Sequence, residues 1–197
     1  MPRPSVLLYT IVWSVVLSAA CSEPPQKEIN SAQAAIDAAR TAGAEQYAPE
    51  SFAAATTALQ QSHEAVAQRD YRLALTRAVD ASDRAQEAAR LAAEGKAQAR
   101  TEAEAAINAT NAALQQLEAR LKAADAARVP PRELAPARGT AQDATAILQK
   151  ARTSLSVGNY KDATAGVSGL QTQIRAQIAV LEQATTARTG RRPPRRR

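Results

Sequence analysis

Alanine limits what this chain can build. It supplies 49 of 197 residues, and each buried alanine hides little more than one methyl group, whereas a buried Leu or Phe contributes about 1.5–3 kcal/mol. Only four aromatic residues, Tyr47, Phe52, Tyr71 and Tyr160, lie beyond residue 20. A thick globular core cannot be assembled from such material. Alanine is, however, the best helix former, favoured over glycine by about 1 kcal/mol per residue, and its small side chain lets two helices approach closely. The expected fold is all-α: elongated antiparallel helical hairpins or a bundle with one long central helix.

Periodicity and punctuation divide the chain. Apolar residues recur three and four apart, and strand signals are few. Helices are expected at about 31–42, 50–68, 71–127, 132–156 and 160–188. Gly43 suits the left-handed end of the first and Pro49 the first turn of the second. In the third segment Leu73, Leu75, Val79, Leu91, Ile107, Leu114, Leu117 and Leu121 are the large apolar residues, with Ala at most of the intervening inward positions. Gly95 is a weak point within one long helix, and Pro130 and Pro131 end it. The four aromatic residues are expected to anchor helix crossings, filling space that Ala cannot.

A shift of 89 residues superposes Tyr71 on Tyr160, Asp70 on Asn159, Ala74 on Ala163 and Leu59 on Leu148, a weak two-fold internal repeat. Val157-Gly158-Asn159-Tyr160 reads as a glycine helix end, an Asn N-cap and the start of the next helix. The earlier copy has Arg69-Asp70-Tyr71. A bulky residue at positive φ costs about 1 kcal/mol, so the earlier turn is expected to be built differently.

The first twenty residues have a secretory layout: Arg3 near the start, an apolar run from Ser5 to Leu17, then Ser18-Ala19-Ala20. The run is shorter than the ~20 residues of a membrane span. The only cysteine, Cys21, follows directly. Leu17-Ser18-Ala19-Ala20-Cys21 resembles the processing site of bacterial lipoproteins, although Leu stands four residues before Cys where that family places it three before. The resemblance implies diacylation of Cys21 and, with Ser22 next, delivery to the outer membrane. Ser18-Ala19-Ala20 also satisfies ordinary signal peptidase, which would leave Cys21 a free thiol. The proline-bearing stretch 22–30 reads as a tether.

Ala44-Glu45-Gln46-Tyr47-Ala48-Pro49-Glu50, then Ala and Leu at helical spacing, then Asp70-Tyr71 with Ala74 and Ala78, resembles an alanine-rich helical domain of unknown function found in bacterial envelope lipoproteins. Its pattern is Tyr-Ala-Pro, a helix, Gly-Asp-Tyr and a second helix, and Arg69 replaces its Gly. The resemblance covers residues 32 to about 120, with a degenerate echo to 188, and implies a compartment and a fold rather than an activity. The expected organisation is a signal peptide (1–20), an acylated cysteine and flexible tether (21–30), the alanine-rich domain (31–127), a second helical hairpin (128–187) and a disordered Arg-rich tail (188–197).

The net charge of +6 does not describe a basic body. Arg188, Arg191, Arg192, Arg195, Arg196 and Arg197 lie in the last ten residues, and residues 21–187 hold eighteen basic against nineteen acidic side chains. The tail is a candidate for binding an anionic surface, such as lipopolysaccharide phosphates or cell-wall carboxylates, because the Arg fork donates two hydrogen bonds to one oxyanion.

Little else suggests chemistry. His63, the only histidine, is expected on a solvated face, without the partner ligands a metal needs. Glu102, Glu104 and Glu118 lack the pairing that acid–base catalysis requires, and no phosphate loop, serine elbow or dinucleotide fingerprint occurs. No enzyme activity, cofactor, metal or nucleic-acid partner is expected. The leading functional reading is a lipid-anchored helical scaffold or spacer in the periplasm, with acyl chains on Cys21 and envelope proteins, lipopolysaccharide or cell wall as partners. A soluble, tetratricopeptide-like periplasmic binding module is the alternative, and a cytosolic, basic-tailed nucleic-acid-associated protein a more distant one. Pairing of Ala and Leu seams between copies would give a homo-oligomer.

Overall fold

The computed structural model describes residues 23–190, which are helical nearly throughout, with no strand among the described residues. The helices are α1 (Gln26–Thr41), α2 (Ala44–Tyr47), α3 (Pro49–Ala67), α4 (Tyr71–Ala126), α5 (Pro131–Ser156), α6 (Tyr160–Val167) and α7 (Leu170–Gly190). The fold is all-α, with α4 as the long central helix. The chain forms two compact units that meet in sequence between Glu94 and Gly95. The first contains α1–α3 and the start of α4, the second the rest of α4 and α5–α7. The α4 helix runs through Gly95 without a break.

In the first unit α1 and α3 pack as a hairpin, with α2 in the bend. The α1 helix starts at Gln26, earlier than the tether reading of 22–30 allows. Pro24 and Pro25 precede its first turn and need no amide donor there, and Ile29 opens a buried stripe of Ile29, Ala32, Ile36 and Ala39. Gly43, at φ 91°, ends the bend in the left-handed region, and Pro49 takes the first position of α3. Across the hairpin the Arg40 guanidinium lies 5.4 Å from the centre of the Phe52 ring. Between α3 and α4 the buried Ser62 hydroxyl donates to the Ala74 carbonyl at 2.7 Å. The α4 stripe facing this core consists of Ala74, Ala78, Ala81, Ala85, Ala88 and Ala92, all fully buried.

That stripe corrects the expected inward set. Leu73, Leu75 and Val79 are 40%, 40% and 47% exposed. The surface opposite combines Ala32, Ala39, Ala55 and Ala58 with Ile29, Ile36, Phe52 and Leu59, so α1 and α3 supply the bulk and α4 the small side chains that let the helices approach closely.

The second unit places Leu114, Leu117 and Leu121 of α4 against Leu134 and Leu148 of α5 and Val167, Leu170, Ile174 and Leu181 of α6 and α7. The expected helix 160–188 is interrupted. Gly166-Val167-Ser168-Gly169 has weak helix propensity, and Gly169 stands at φ 77°, separating α6 from α7. Residues 89 apart are buried in both units: Ala48 and Ala137, Ala55 and Ala144, Leu59 and Leu148, Ala74 and Ala163. At three further pairs the first unit has Ala81, Ala85 and Ala92 where the second has Leu170, Ile174 and Leu181.

Three helix ends share one hydrogen-bond pattern. The Asp70, Val129 and Asn159 amides donate to the carbonyls of Ala65, Ala124 and Ser154, five residues back, at 2.9, 3.0 and 2.9 Å. The residue before each donor is left-handed: Arg69 at φ 60°, Arg128 at φ 58° and Gly158 at φ 86°. The first turn is therefore built like its glycine counterpart, contrary to expectation, because this bond from Asp70 and that of the Arg69 amide to the Val66 carbonyl, at 2.9 Å, hold Arg69 in place. Asp70 caps α4 by accepting from the Leu73 amide at 3.0 Å. Asn159 occupies the N-cap of α6 but makes no side-chain cap bond. Arg69→Gly is expected to raise stability by about 1 kcal/mol, read as a higher urea midpoint at unchanged slope. A lower midpoint would show that the Arg69 side chain supports the turn.

Candidate interaction sites

No group of three or more His, Cys, Asp or Glu residues among the described residues is placed to hold a metal ion. His63 is exposed and lines an open groove of about 590 Å3 between α1 and α3, with Ile36 and Leu59 in its floor and Gln33, Arg40 and Gln60 beside them. Gln60 donates to Glu64 at 3.0 Å. Arg40 is bound on both sides, to Asp37 and Glu45, each at 2.9 Å, and the Glu45 hydrogen bond is the main cause of its raised pKa.

The remaining acidic candidates are occupied along α4. Glu102 accepts from Gln98 and Glu104 from Arg100, each at 2.8 Å, while Glu118 is exposed. Arg90 bridges Glu87 and Glu94, and its hydrogen bond holds the Glu87 carboxyl below the ordinary range. These are solvent-facing intrahelical pairs, worth a few tenths of a kcal/mol at most, and they do not converge on a cavity.

Tyr71, Leu75 and Val79, four residues apart, share one face of α4, with Leu73 on the other side. Leu73, Leu75 and Val79 occupy the first turns of α4, next to the half-buried Tyr71, which belongs to neither core, whereas Phe52, Tyr47 and Tyr160 pack into or against one. At an offset of 89 the second unit has Asp162, Thr164 and Ser168, so the shared helical arrangement does not itself require apolar side chains there. The end of the first unit that bears them follows from the hairpin. Because α3 runs back along α1, the α3–α4 turn lies beside the start of α1, at Gln26.

In the second unit three polar contacts fix the helix register. Arg138 donates to both oxygens of Asp125 at 2.8 and 3.0 Å, and Arg152 donates to the Asn111 side chain at 3.0 Å. Both pairs fit a single antiparallel register of α5 on α4. Arg120 pairs with Glu182 at 3.0 Å, which brings α7 beside α4. Arg188 is exposed in the last turn of α7. Arg128 and Arg132 are exposed at the α4–α5 turn.

Of the residues singled out in the sequence, Cys21, Arg191, Arg192, Arg195, Arg196 and Arg197 lie outside the described residues. Arg128 and Arg132 were not singled out. Both are charged side chains at locally unfavourable positions, and that signal appears only once the turn is built. No helix among the described residues is long and apolar enough to cross a membrane. Comparison with family models, curated proteins and solved structures finds no match to the chain.

Proposed function

We propose that this chain is a non-enzymatic envelope lipoprotein, anchored at the periplasmic face of the outer membrane by acyl chains on Cys21, whose helical body acts as a scaffold or spacer. The observation carrying this reading is the position of the cysteine relative to the first unit. Cys21 precedes Gln26, the first residue of α1, by five residues, a reach of about 17 Å at full extension. An acyl anchor there holds the first unit by the end that also carries Tyr71, Leu73 and Leu75. Exposed Leu and Tyr side chains are favourable where water meets lipid headgroups. Diacylation already supplies two chains, enough for stable anchoring, and the exposed apolar side chains at this end add a further contact.

The test is intact mass and palmitate labelling of the native protein, wild type against Cys21→Ala, in membrane and soluble fractions. A mature chain beginning at Cys21 and carrying acyl mass, with label and membrane retention lost in the variant, is expected. An unmodified chain in the soluble periplasm would instead favour the second reading, a free binding module, for which the α1–α3 groove is the supporting feature. An uncleaved, unlabelled chain in the cytosol would remove both.

A further inference from the structure

The α4 face bearing Tyr71, Leu75 and Val79 belongs to neither core. Leu75 is 40% exposed and Val79 47%, and the positions 89 residues on carry Thr164 and Ser168, so the helical arrangement does not call for apolar side chains there. Two charges edge the same face. Arg72 and Asp83 are exposed and lie within about 20° of each other around the helix, on the flank away from the buried Ala74 and Ala78. Neither has an opposite charge three or four residues away. Arg72 has Arg69 behind it, and Asp83 stands between Asp80 and Glu87, spacings at which like charges repel. Asp80 is engaged by Arg84 at 2.9 Å and Glu87 by Arg90, whereas Arg72 and Asp83 make no ion pair among the described residues. Eleven residues apart, about 16 Å along one helix, they cannot reach each other.

A second copy supplies what one chain lacks. When two α4 helices lie antiparallel about a two-fold axis level with residue 77, Leu75 of each copy comes level with Val79 of the other. The same operation brings Arg72 of each copy to within one residue, about 1.5 Å along the axis, of the level of Asp83 in the other, and on the same flank. Parallel pairing would instead match each residue with itself and keep Arg72 about 16 Å from the other copy's Asp83. We propose that this face pairs two copies of the chain into an antiparallel dimer, with Leu75 and Val79 packed at its centre and Arg72–Asp83 ion pairs at both ends. The contact is isologous and therefore closes on itself. It spans only about three and a half turns, so the association is weak and reversible. The starts of the two α4 helices stand about 18 Å apart along the axis, a separation that two tethers of about 17 Å reach can span to one membrane. Paired copies give Leu75 to each other and leave Leu73, on the other side of the helix, to lipid. The pairing goes beyond the envelope reading and does not depend on acylation of Cys21.

The full chain carrying Cys21→Ala is used, so that neither acyl chains nor a disulfide can join copies, and its mass is followed by sedimentation equilibrium at rising concentration. A reversible monomer–dimer equilibrium is expected. Leu75→Gln should weaken it about thirtyfold, because the apolar side chain is lost from both halves of the contact. Leu73→Gln, equally exposed on the other side, should leave it unchanged within about twofold. Arg72→Glu and Asp83→Arg should each weaken it about tenfold, and the two together should restore it to within about threefold. All four side chains are exposed, so urea midpoints measured on the monomer should change little, which separates a lost contact from a lost fold. A monomer at every concentration, equal weakening by Leu73→Gln, or failure of the double exchange to restore pairing would overturn the proposal. A chain that stays monomeric while Leu75→Gln weakens its binding to phosphatidylcholine vesicles would overturn it too, and assign the face to lipid.

Discussion

Leu117→Ala is expected to destabilise the second unit by about 2–5 kcal/mol while leaving the first nearly unchanged. Leu117 is fully buried, within a cluster containing Leu114, Leu121, Leu148 and Ile174. Large side chains are few in this protein, and removing one leaves a cavity that neighbouring alanines cannot reach across to fill. The two cores share no residue, so the loss should stay local. Amide exchange should accelerate across 131–188 and remain slow across 26–67. Equal acceleration in both stretches would show that the units unfold as one.

The opposite change tests the alanine seam. Ala85→Leu is expected to cost about 1–3 kcal/mol, because three extra carbons must enter a packed contact. Ala85 is fully buried in the first unit, among neighbours that include Ala32, Ala39, Ala55 and Ala58. At the position 89 residues on, the second unit carries the fully buried Ile174, so the pattern tolerates a large residue where the facing surface is cut for it. Ala93→Leu, on the exposed side of the same helix, should change stability by no more than about 0.5 kcal/mol. The pair is compared by urea denaturation. A neutral or stabilising Ala85→Leu would mean that the seam is loosely packed.

Helix class and most helix ends were legible in the sequence because they depend on local chemistry. Alanine content, Pro49, Pro131 and Gly43 act within a turn or two of themselves. The inward face of α4 was not legible. Size normally marks the core, and by that rule Leu73, Leu75 and Val79 point inward. Their exposure follows from helix phase, since the face of α4 turned to the core is the one carrying Ala74, Ala78, Ala81 and Ala85. Arg69 misled for a related reason: the strain it carries is outweighed by two backbone hydrogen bonds that only the finished turn displays. Gly166-Val167-Ser168-Gly169 is a local signal, but the apolar spacing continues through it and masks the break.

The candidate sites divide along the same line. Cys21 and the terminal arginines are visible in the sequence alone, being set by processing and composition. The strained backbone at Arg128 depends on how the α4–α5 turn closes.

The alanine seam also shapes how the first unit responds to temperature. The heat-capacity increment of unfolding grows with the apolar surface newly wetted, and a core lined by Ala74, Ala78, Ala81, Ala85, Ala88 and Ala92 wets less of it than one lined by Leu170, Ile174 and Leu181. Its free-energy curve is accordingly flatter, with a broad, low maximum, and the second unit's is more sharply domed. One chain thus carries two thermal profiles, and in the cold the first unit loses less of its driving force than the second.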